Sequence, residues 1–215
     1  MLISKVYSPI HLFWARLISS IFLPYYSILN LFRASYTLDT LDVKIILVTE
    51  YHRIGDVIMI APALHYIKAR FPNAHLILLC NESTVSLANH LNLADEIISV
   101  TVPWTHWNWS LSKWIKIRSF ARKLGMRGID LVFDFKGDLR NSWFVWNVRA
   151  KISMGYSTTG GSFFFTHPHT MDQGIHQSQR ANELITKAGC SPTFMEPKLV
   201  SVSYTHLTLP TSELV

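Results

Sequence analysis

Short apolar runs alternate with longer amphipathic segments along most of the chain. The first run, residues 44–49, is rich in β-branched side chains and predicts a buried strand. Later runs predict strands at 75–80, 96–100, 130–133 and 151–154, and the amphipathic segments predict helices at 57–71, 83–91, 111–124, 139–148 and 175–188. Strands that alternate with helices indicate parallel βαβ units, so we expect an α/β fold with a Rossmann-like, doubly wound parallel sheet.

The first 43 residues have a different pattern. Apolar residues recur at helical spacing from Ile10 to Phe22 and predict a helix. The apolar segment is long enough to span a membrane, but Arg16 and Pro24 lie inside it, which favours a helix that lies in the membrane interface. A hydrophobic helix packed on the following domain is the alternative. Residues 1–43 are therefore interpreted as an apolar, membrane-associated helical extension.

The rest of the chain divides into one domain and a tail. Residues 44–200 form the predicted Rossmann-like domain. Within it, residues 155–174 are rich in Gly, Ser, Thr and His and lack clear periodicity, which makes them a candidate functional loop. The tail, residues 201–215, continues none of the repeating units and is similar to translated adapter sequence. We expect this tail to be artefactual and the natural chain to be longer.

Net charge and cysteine content narrow the possible partners and compartment. A formal net charge of +6 favours an anionic partner, which includes a phosphorylated glycolipid, a nucleotide, a membrane surface or a nucleic acid. The basic residues are scattered and no nucleic-acid-binding motif accompanies them, so nucleic acid is the weakest of these. Cys80 and Cys190 lie far apart without a CxxC pair, which favours the reducing cytoplasm.

The turn after the first predicted strand contains the leading candidate residues. Ligands of open parallel sheets bind beyond the carboxyl ends of the strands, and Arg53, Gly55 and Asp56 lie at that position. Glycine permits a tight turn and a close ligand. Asp56 either caps the helix that is predicted to begin near Val57 or acts as a general base towards a bound hydroxyl. These residues alone favour the cap.

Two further pairs of residues are candidates for substrate binding. Lys136 and Arg140 follow the strand that ends near Asp134, where backbone amides and a guanidinium can bind a phosphate or carboxylate. A turn with a solvated basic face is the alternative. His176 and Arg180 are one helical turn apart on the last helix and either face the cleft together or form a surface pair.

Two other segments suggest chemistry less specifically. Residues 104–114 mix tryptophans with basic residues, which suits stacking on a sugar, contact with a lipid headgroup or ordinary packing. His167, His169 and Asp172 are metal-ligand types, but their spacing matches no strong zinc pattern. We therefore assign no metal site.

The motifs, taken in order, resemble the N-terminal part of members of glycosyltransferase family 9, the ADP-heptose:lipopolysaccharide heptosyltransferases. The resemblance covers about residues 44–190. Its elements are Arg-Ile-Gly-Asp-Val-Ile-Met-Ile-Ala-Pro-Ala-Leu at 53–64, Lys68, Phe-Pro-Asn-Ala at 71–74, Ile-Asp-Leu-Val-Phe-Asp at 129–134, Lys-Gly-Asp-Leu-Arg at 136–140, Met-Gly-Tyr at 154–156, and His176 with Arg180.

The resemblance implies the N-terminal, acceptor-binding half of a GT-B fold, with the C-terminal donor domain missing from the sequence. It implies inverting sugar transfer without a metal or cofactor, in which a nucleotide sugar such as ADP-heptose is the co-substrate. The acceptor would be a lipopolysaccharide-core or related anionic glycolipid at the cytoplasmic face of the inner membrane, where the protein would be peripheral or monotopic. Asp56 is then the catalytic base, and the substrate-binding residues are Arg53, Gly55, Lys136, Arg140, His176 and Arg180. The alternative is a non-catalytic, membrane-associated module of the same ancestry that binds a glycan or a protein.

Overall fold

The computed structural model describes residues 9–51, 53–104, 110–171 and 175–192. Its strands are β1 (Ile45–Glu50), β2 (His75–Cys80), β3 (Glu96–Ser99), β4 (Leu131–Asp134), β5 (Ile152–Tyr156) and β6 (His167–His169). Its α-helices are α1 (Pro9–Leu31), α2 (Ile54–Arg70), α3 (Glu82–His90), α4 (Leu111–Gly125), α5 (Leu139–Val148) and α6 (Gln177–Thr186). A single 3-10 turn covers Ser162–Phe164.

The strands form one parallel sheet in the order β3-β2-β1-β4-β5-β6. This is the doubly wound, Rossmann-like architecture that the sequence predicts, and the five predicted strands each lie within two residues of an observed one. The chain leaves β1 towards β2 on one side and later returns to β4 on the other. The direction of winding therefore reverses between β1 and β4.

Both faces of the sheet are covered by helices, which explains why the central strands β1, β2 and β4 are largely apolar. In β1, Ile46 and Val48 face a core that includes residues of α2 and α6, whereas Leu47 faces a core that includes residues of α4 and α5. All three side chains are buried. Alternation within a single strand thus supplies two separate hydrophobic layers.

Two local predictions differ from the structure. Helix α2 begins at Ile54 with Arg53 as its N-cap, so Asp56 lies inside the first turn and does not cap the helix. The interval 155–174, predicted as an irregular loop, contains the end of β5, the 3-10 turn and the edge strand β6. The sequence does not predict β6, because this segment contains Pro168. Proline cannot donate a ladder hydrogen bond and is tolerated in strands mainly at sheet edges. The predicted tail, 201–215, lies outside the described residues.

Helix α1 packs against α5 and the 3-10 turn, on the same side of the sheet as α4. Pro24 lies within it. Of the helices in the described part of the chain, none is both long enough and apolar enough to cross a membrane.

Candidate active site at the switch between β1 and β4

The crevice at the carboxyl ends of β1 and β4 contains an ion pair between two predicted site residues. Asp56 comes from the first turn of α2, directly after β1, and Lys136 comes from the turn after β4. Lys136 Nζ donates a hydrogen bond to Asp56 Oδ2 at 3.0 Å. The side chains of Lys136 and Asp56 are only 20% and 18% exposed. The reversal of winding places these two turns side by side, which is where a doubly wound sheet binds its ligands.

A third side chain, Gln177, completes the arrangement around Asp56. Gln177 lies in the first turn of α6, and its Nε2 donates to Asp56 Oδ1 at 2.9 Å. Hydrogen bonds on both oxygens therefore fix the orientation of the carboxylate. Gln177 is not among the site residues predicted from the sequence, because an uncharged amide has no distinctive signal apart from its position beside His176.

The turn that carries Lys136 requires a glycine at its next position. Gly137 has φ of +71°, and a Cβ there would lie 3.0 Å from Tyr156 Cβ and 2.8 Å from Thr158 Oγ1. Thr159 holds the same turn through its hydroxyl, which donates to the Gly137 carbonyl at 3.3 Å and accepts from the Leu139 amide at 2.8 Å. The loop after β5 thus supports the turn after β4 and keeps Lys136 directed at Asp56.

Arg140 contacts the N-cap of its own helix. Asp138 caps α5 by accepting from the Arg140 amide at 2.8 Å. The Arg140 guanidinium donates to both oxygens of the same carboxylate, from Nε at 2.8 Å and from Nη2 at 2.5 Å. The structure therefore places Arg140 in the predicted turn, with its charge directed at Asp138.

The floor of the crevice is acidic and buried. Glu50, Asp134 and Asp138 lie at the carboxyl ends of β1 and β4, and Asp134 Oδ1 accepts from Thr49 Oγ1 at 3.1 Å. Burial, reinforced by the nearby carboxyl groups of Asp134, Asp138 and Glu50, raises the pKa of Tyr51 well above its ordinary value. The backbone amide of Lys136 donates to Asp134 Oδ1 at 3.5 Å, while its ammonium donates to Asp56.

Arg53 and Gly55 lie at the exposed rim of the crevice. Arg53 is the N-cap of α2 but makes no side-chain cap hydrogen bond. A Cβ added at Gly55 would have no neighbouring atom within 4 Å, so packing does not require glycine there. The start of α2 thus has open space at Gly55 and an exposed Arg53 at its N-cap, close in sequence to Asp56.

His176 and Arg180 both lie at the start of α6, on either side of Gln177. His176 is the exposed N-cap of α6, and its Nδ1 accepts from the Ser178 amide at 3.4 Å. Arg180 Nε donates back to the Ile175 carbonyl at 3.0 Å, and Nη1 contacts Met171 Sδ at 3.2 Å. Both residues shape the start of α6, from which Gln177 reaches the carboxylate.

The remaining candidate residues make packing contacts, belong to the edge strand β6 or lie outside the described residues. Trp104 is buried, its Nε1 donates to Asn141 Oδ1 at 2.9 Å, and its ring packs on Trp114 with centroids 5.3 Å apart. These contacts favour a packing role for Trp104, and residues 105–109 are not described. His167 and His169 belong to β6, and Asp172 is not described. No group of three potential metal ligands occurs among the described residues.

Solved structures with a similar fold include two heptosyltransferases and a family 9 enzyme. The E. coli heptosyltransferase WaaC with ADP-2-deoxy-2-fluoro heptose has a TM-score of 0.59 and 19% identity, over 71% of this chain and 51% of that one. The glycosyl transferase family 9 structure from Veillonella parvula has a TM-score of 0.60 and 22% identity, over 76% and 46%. E. coli ADP-heptose lps heptosyltransferase II has a TM-score of 0.60 and 12% identity, over 75% and 47%. No family model matches the sequence, and no curated protein matches it.

The chain spans about half the length of these solved structures. At such low identities the likeness concerns the fold, and it agrees with the resemblance that the ordered motifs indicate. The protein therefore has the Rossmann-like α/β fold found in solved heptosyltransferases and in a glycosyltransferase of family 9.

Proposed function

We propose that this chain is the acceptor-binding half of a glycosyltransferase that transfers a sugar from a nucleotide sugar to an anionic glycolipid. The observation that carries the proposal is the Asp56 carboxylate, which Lys136 and Gln177 hold at the switch point of a sheet with this fold. A carboxylate fixed on both oxygens in a partly buried crevice is suited to accept a proton from a bound hydroxyl. The motif resemblance assigns the same role to Asp56.

In the proposed reaction, an acceptor hydroxyl donates a hydrogen bond to Asp56. Asp56 takes the proton as the oxygen attacks the anomeric carbon from the face opposite the nucleotide diphosphate. The new glycosidic bond forms as the bond to the diphosphate breaks, so the product has inverted configuration and no covalent enzyme intermediate arises. The Lys136 ammonium, 3.0 Å from Asp56 Oδ2, holds the carboxylate in position for this proton transfer.

The donor is proposed to be a nucleotide sugar such as ADP-heptose. Two of the similar solved structures are of WaaC, one with ADP-2-deoxy-2-fluoro heptose and one with ADP. A departing diphosphate is stabilised electrostatically, by positive side chains or helix N-termini, and requires no covalent catalysis. The family resemblance implies that a second domain binds most of the nucleotide-sugar donor. No metal or other cofactor is proposed.

The acceptor is proposed to be a lipopolysaccharide-core or related glycolipid that carries phosphate or carboxylate groups. Arg53 lies exposed at the rim beside Asp56, where it can pair with such a group. Lys136 is the second cation of the crevice. Arg140, His176 and Arg180 are proposed contacts of lower rank, since their side chains are engaged with Asp138, the start of α6 and Met171.

Attachment to the cytoplasmic face of a membrane is part of the proposal. Helix α1 exposes large apolar side chains, among them Ile10, Ile21 and Leu31 at 68%, 64% and 81%. An exposed apolar stripe of this kind is typical of helices that lie in a membrane interface. This arrangement would hold the crevice close to the membrane that contains the glycolipid.

Replacing the proposed base tests the function. In protein expressed from its complete reading frame, Asp56→Asn should lower sugar transfer from ADP-heptose to lipopolysaccharide core by about 100- to 10,000-fold, the range typical of a general base. Core oligosaccharide binding, measured by calorimetry, should change little. Asp42→Asn is the matched control, because Asp42 is highly exposed and lies in the connector before β1.

Two outcomes would contradict the proposal. If the Asp56→Asn protein retains turnover, Asp56 is not the base. If wild-type protein binds the core oligosaccharide but transfers no sugar from any nucleotide sugar, the non-catalytic binding module is the correct interpretation.

A further inference from the structure

A second cavity lies between the C-terminal ends of α1 and α5, away from Asp56. Its volume is about 460 Å³. One part of its wall is apolar and is formed by Leu29, Phe32, Ala34, Tyr36, Trp146 and Ala150. The other part carries three cations, Arg33, Arg149 and Lys151. The cavity therefore combines an apolar wall with a concentration of positive charge.

Two of these cations have no carboxylate partner among the residues that the structure describes. Lys151 Nζ pairs with Asp130 Oδ1 at 2.7 Å. No salt bridge of the described residues involves Arg33 or Arg149. Arg33 Nη2 instead donates to the Ala150 carbonyl at 3.1 Å. Burial and the neighbouring Arg149 charge lower the pKa of Arg33. An anion bound between these guanidinium groups would relieve their repulsion.

Polar and aromatic contacts on one face of α1 fix this helix against the domain. The Gly161 amide donates to Ser19 Oγ at 2.8 Å, and Trp146 Nε1 donates to Asn30 Oδ1 at 3.0 Å. Between these anchors, the Tyr26 ring stacks on Phe163 with centroids 5.5 Å apart. Ser19, Tyr26 and Asn30 recur at intervals of seven and four residues, so they share one side of the helix.

The opposite side of α1 is apolar and exposed. At about 100° per residue, the exposed large side chains are centred on the side of the helix away from Ser19, Tyr26 and Asn30. They are Ile10, Phe13, Trp14, Leu17, Ile18, Ile21, Tyr25, Ile28, Leu31 and Phe32, whereas the exposed Phe22 and Leu23 lie nearer the anchored side. Phe32 belongs both to this stripe and to the wall of the cavity. The cavity thus opens beside an apolar surface.

We propose that this cavity binds the phosphate group of an anionic membrane phospholipid, whose acyl chains lie along the exposed stripe of α1. Arg33 and Arg149 pair with the phosphate, and Phe32 and Tyr36 contact the glycerol and the first methylenes. A helix that buries its apolar face about 5–10 Å into the interface places its flanks at headgroup level, which is where the cavity lies. A small inorganic anion would use the cations but not the apolar wall. The site does not depend on the sugar transfer proposed for Asp56.

The substitution Arg149→Gly removes one charge from the proposed phosphate site and is not expected to destabilise the fold. Arg149 has φ of +59°, in the left-handed region that favours glycine, so Arg149→Gly should leave the protein at least as stable as wild type. Sedimentation with vesicles of phosphatidylcholine, alone or mixed with phosphatidylglycerol, measures membrane binding. Arg149→Gly should weaken binding to the mixed vesicles about fivefold, which corresponds to about 1 kcal/mol per basic residue at an anionic surface.

Two control variants separate the cavity from general attraction. Lys187→Gln removes an exposed charge at the end of α6, on the other face of the sheet, and should not change binding. Ile21→Glu should weaken binding to both kinds of vesicle, because it disrupts the apolar stripe alone. Equal losses for Arg149→Gly and Lys187→Gln, or no loss for either, would overturn the proposal.

A soluble lipid locates the contact. Dihexanoylphosphatidylglycerol, added below the concentration at which it forms micelles, should shift the amide NMR resonances of residues 146–151 in wild-type protein and not in Arg149→Gly. Inorganic phosphate at the same concentration should not reproduce these shifts. If phosphate does reproduce them, the site is a simple anion site; if neither ligand shifts them, no headgroup binds in the cavity.

Discussion

The ion pair between Lys136 and Asp56 can be measured by a double-mutant cycle on protein stability. Lys136→Met and Asp56→Ala, alone and combined, isolate the coupling between the two side chains. Asp56 also lies in the first turn of α2, where the helix dipole favours an acid, but that contribution is lost in both Asp56 backgrounds and cancels. The hydrogen bond from Gln177 cancels for the same reason.

The exposure and length of the contact indicate how large the coupling free energy between Lys136 and Asp56 should be. Exposed ion pairs couple by about 0.2–1 kcal/mol, whereas hydrogen bonds to charged groups contribute about 1.5–3 kcal/mol. The 3.0 Å contact between Lys136 and Asp56 is only about one-fifth exposed, which places its coupling near 1.5 kcal/mol. Lys44 and Asp42 form a reference pair at 3.4 Å, with side chains 75% and 83% exposed, and their coupling should stay below about 0.5 kcal/mol.

Urea unfolding followed by far-UV circular dichroism gives both couplings from about seven proteins, since the two cycles share the wild type. Raising the ionic strength from about 0.1 M to 1 M shortens the screening length from about 10 Å to 3 Å. The coupling of Lys136 with Asp56 should fall by less than half under that change, because solvent is largely excluded. A coupling no larger than that of the exposed pair would refute the view that the crevice holds Asp56 in a fixed orientation.

Two further predictions concern the scaffold. Hydrogen bonds from Arg127, with a further one from His75, lower the pKa of Glu96 from 4.5 to about 2, so Glu96 contributes stability above pH 4.5 that is lost as the pH falls towards 2. Arg127→Met should reduce, but not abolish, the pH dependence of the urea midpoint over that interval, and an unchanged pH dependence would contradict the assignment. A Cβ at Gly125 would overlap the Val148 carbonyl, so Gly125→Ala should cost about 1–3 kcal/mol in the free energy of unfolding. Gly55→Ala is the control, because a Cβ there meets open space, and it should be neutral or slightly stabilising. Equal effects of the two substitutions on the free energy of unfolding would contradict the close packing of α4 on α5.

The features that the sequence does not predict depend on contacts with residues far away in the chain. Strand β6 is three residues long and contains Pro168, so only its pairing with β5 makes it a strand. Gln177 has no local signal, and it contacts Asp56 because α6 packs on α2 across more than a hundred residues of chain. Arg140 was predicted as a binding residue from its charge, but its nearest counter-charge, Asp138, determines where that charge points.

The local residue pattern is enough to predict the alternation of strands and helices, the parallel sheet, and the candidates Asp56 and Lys136 at strand ends. These features follow from local periodicity and from turns that directly succeed buried strands, which neighbouring residues encode. The contacts of Lys136 and Gln177 with Asp56, and the orientation of α1 with its polar anchors inward and its apolar stripe outward, emerge only from the folded chain. Those arrangements depend on contacts between segments distant in the chain, and a residue's own neighbours do not specify which distant side chain it will meet.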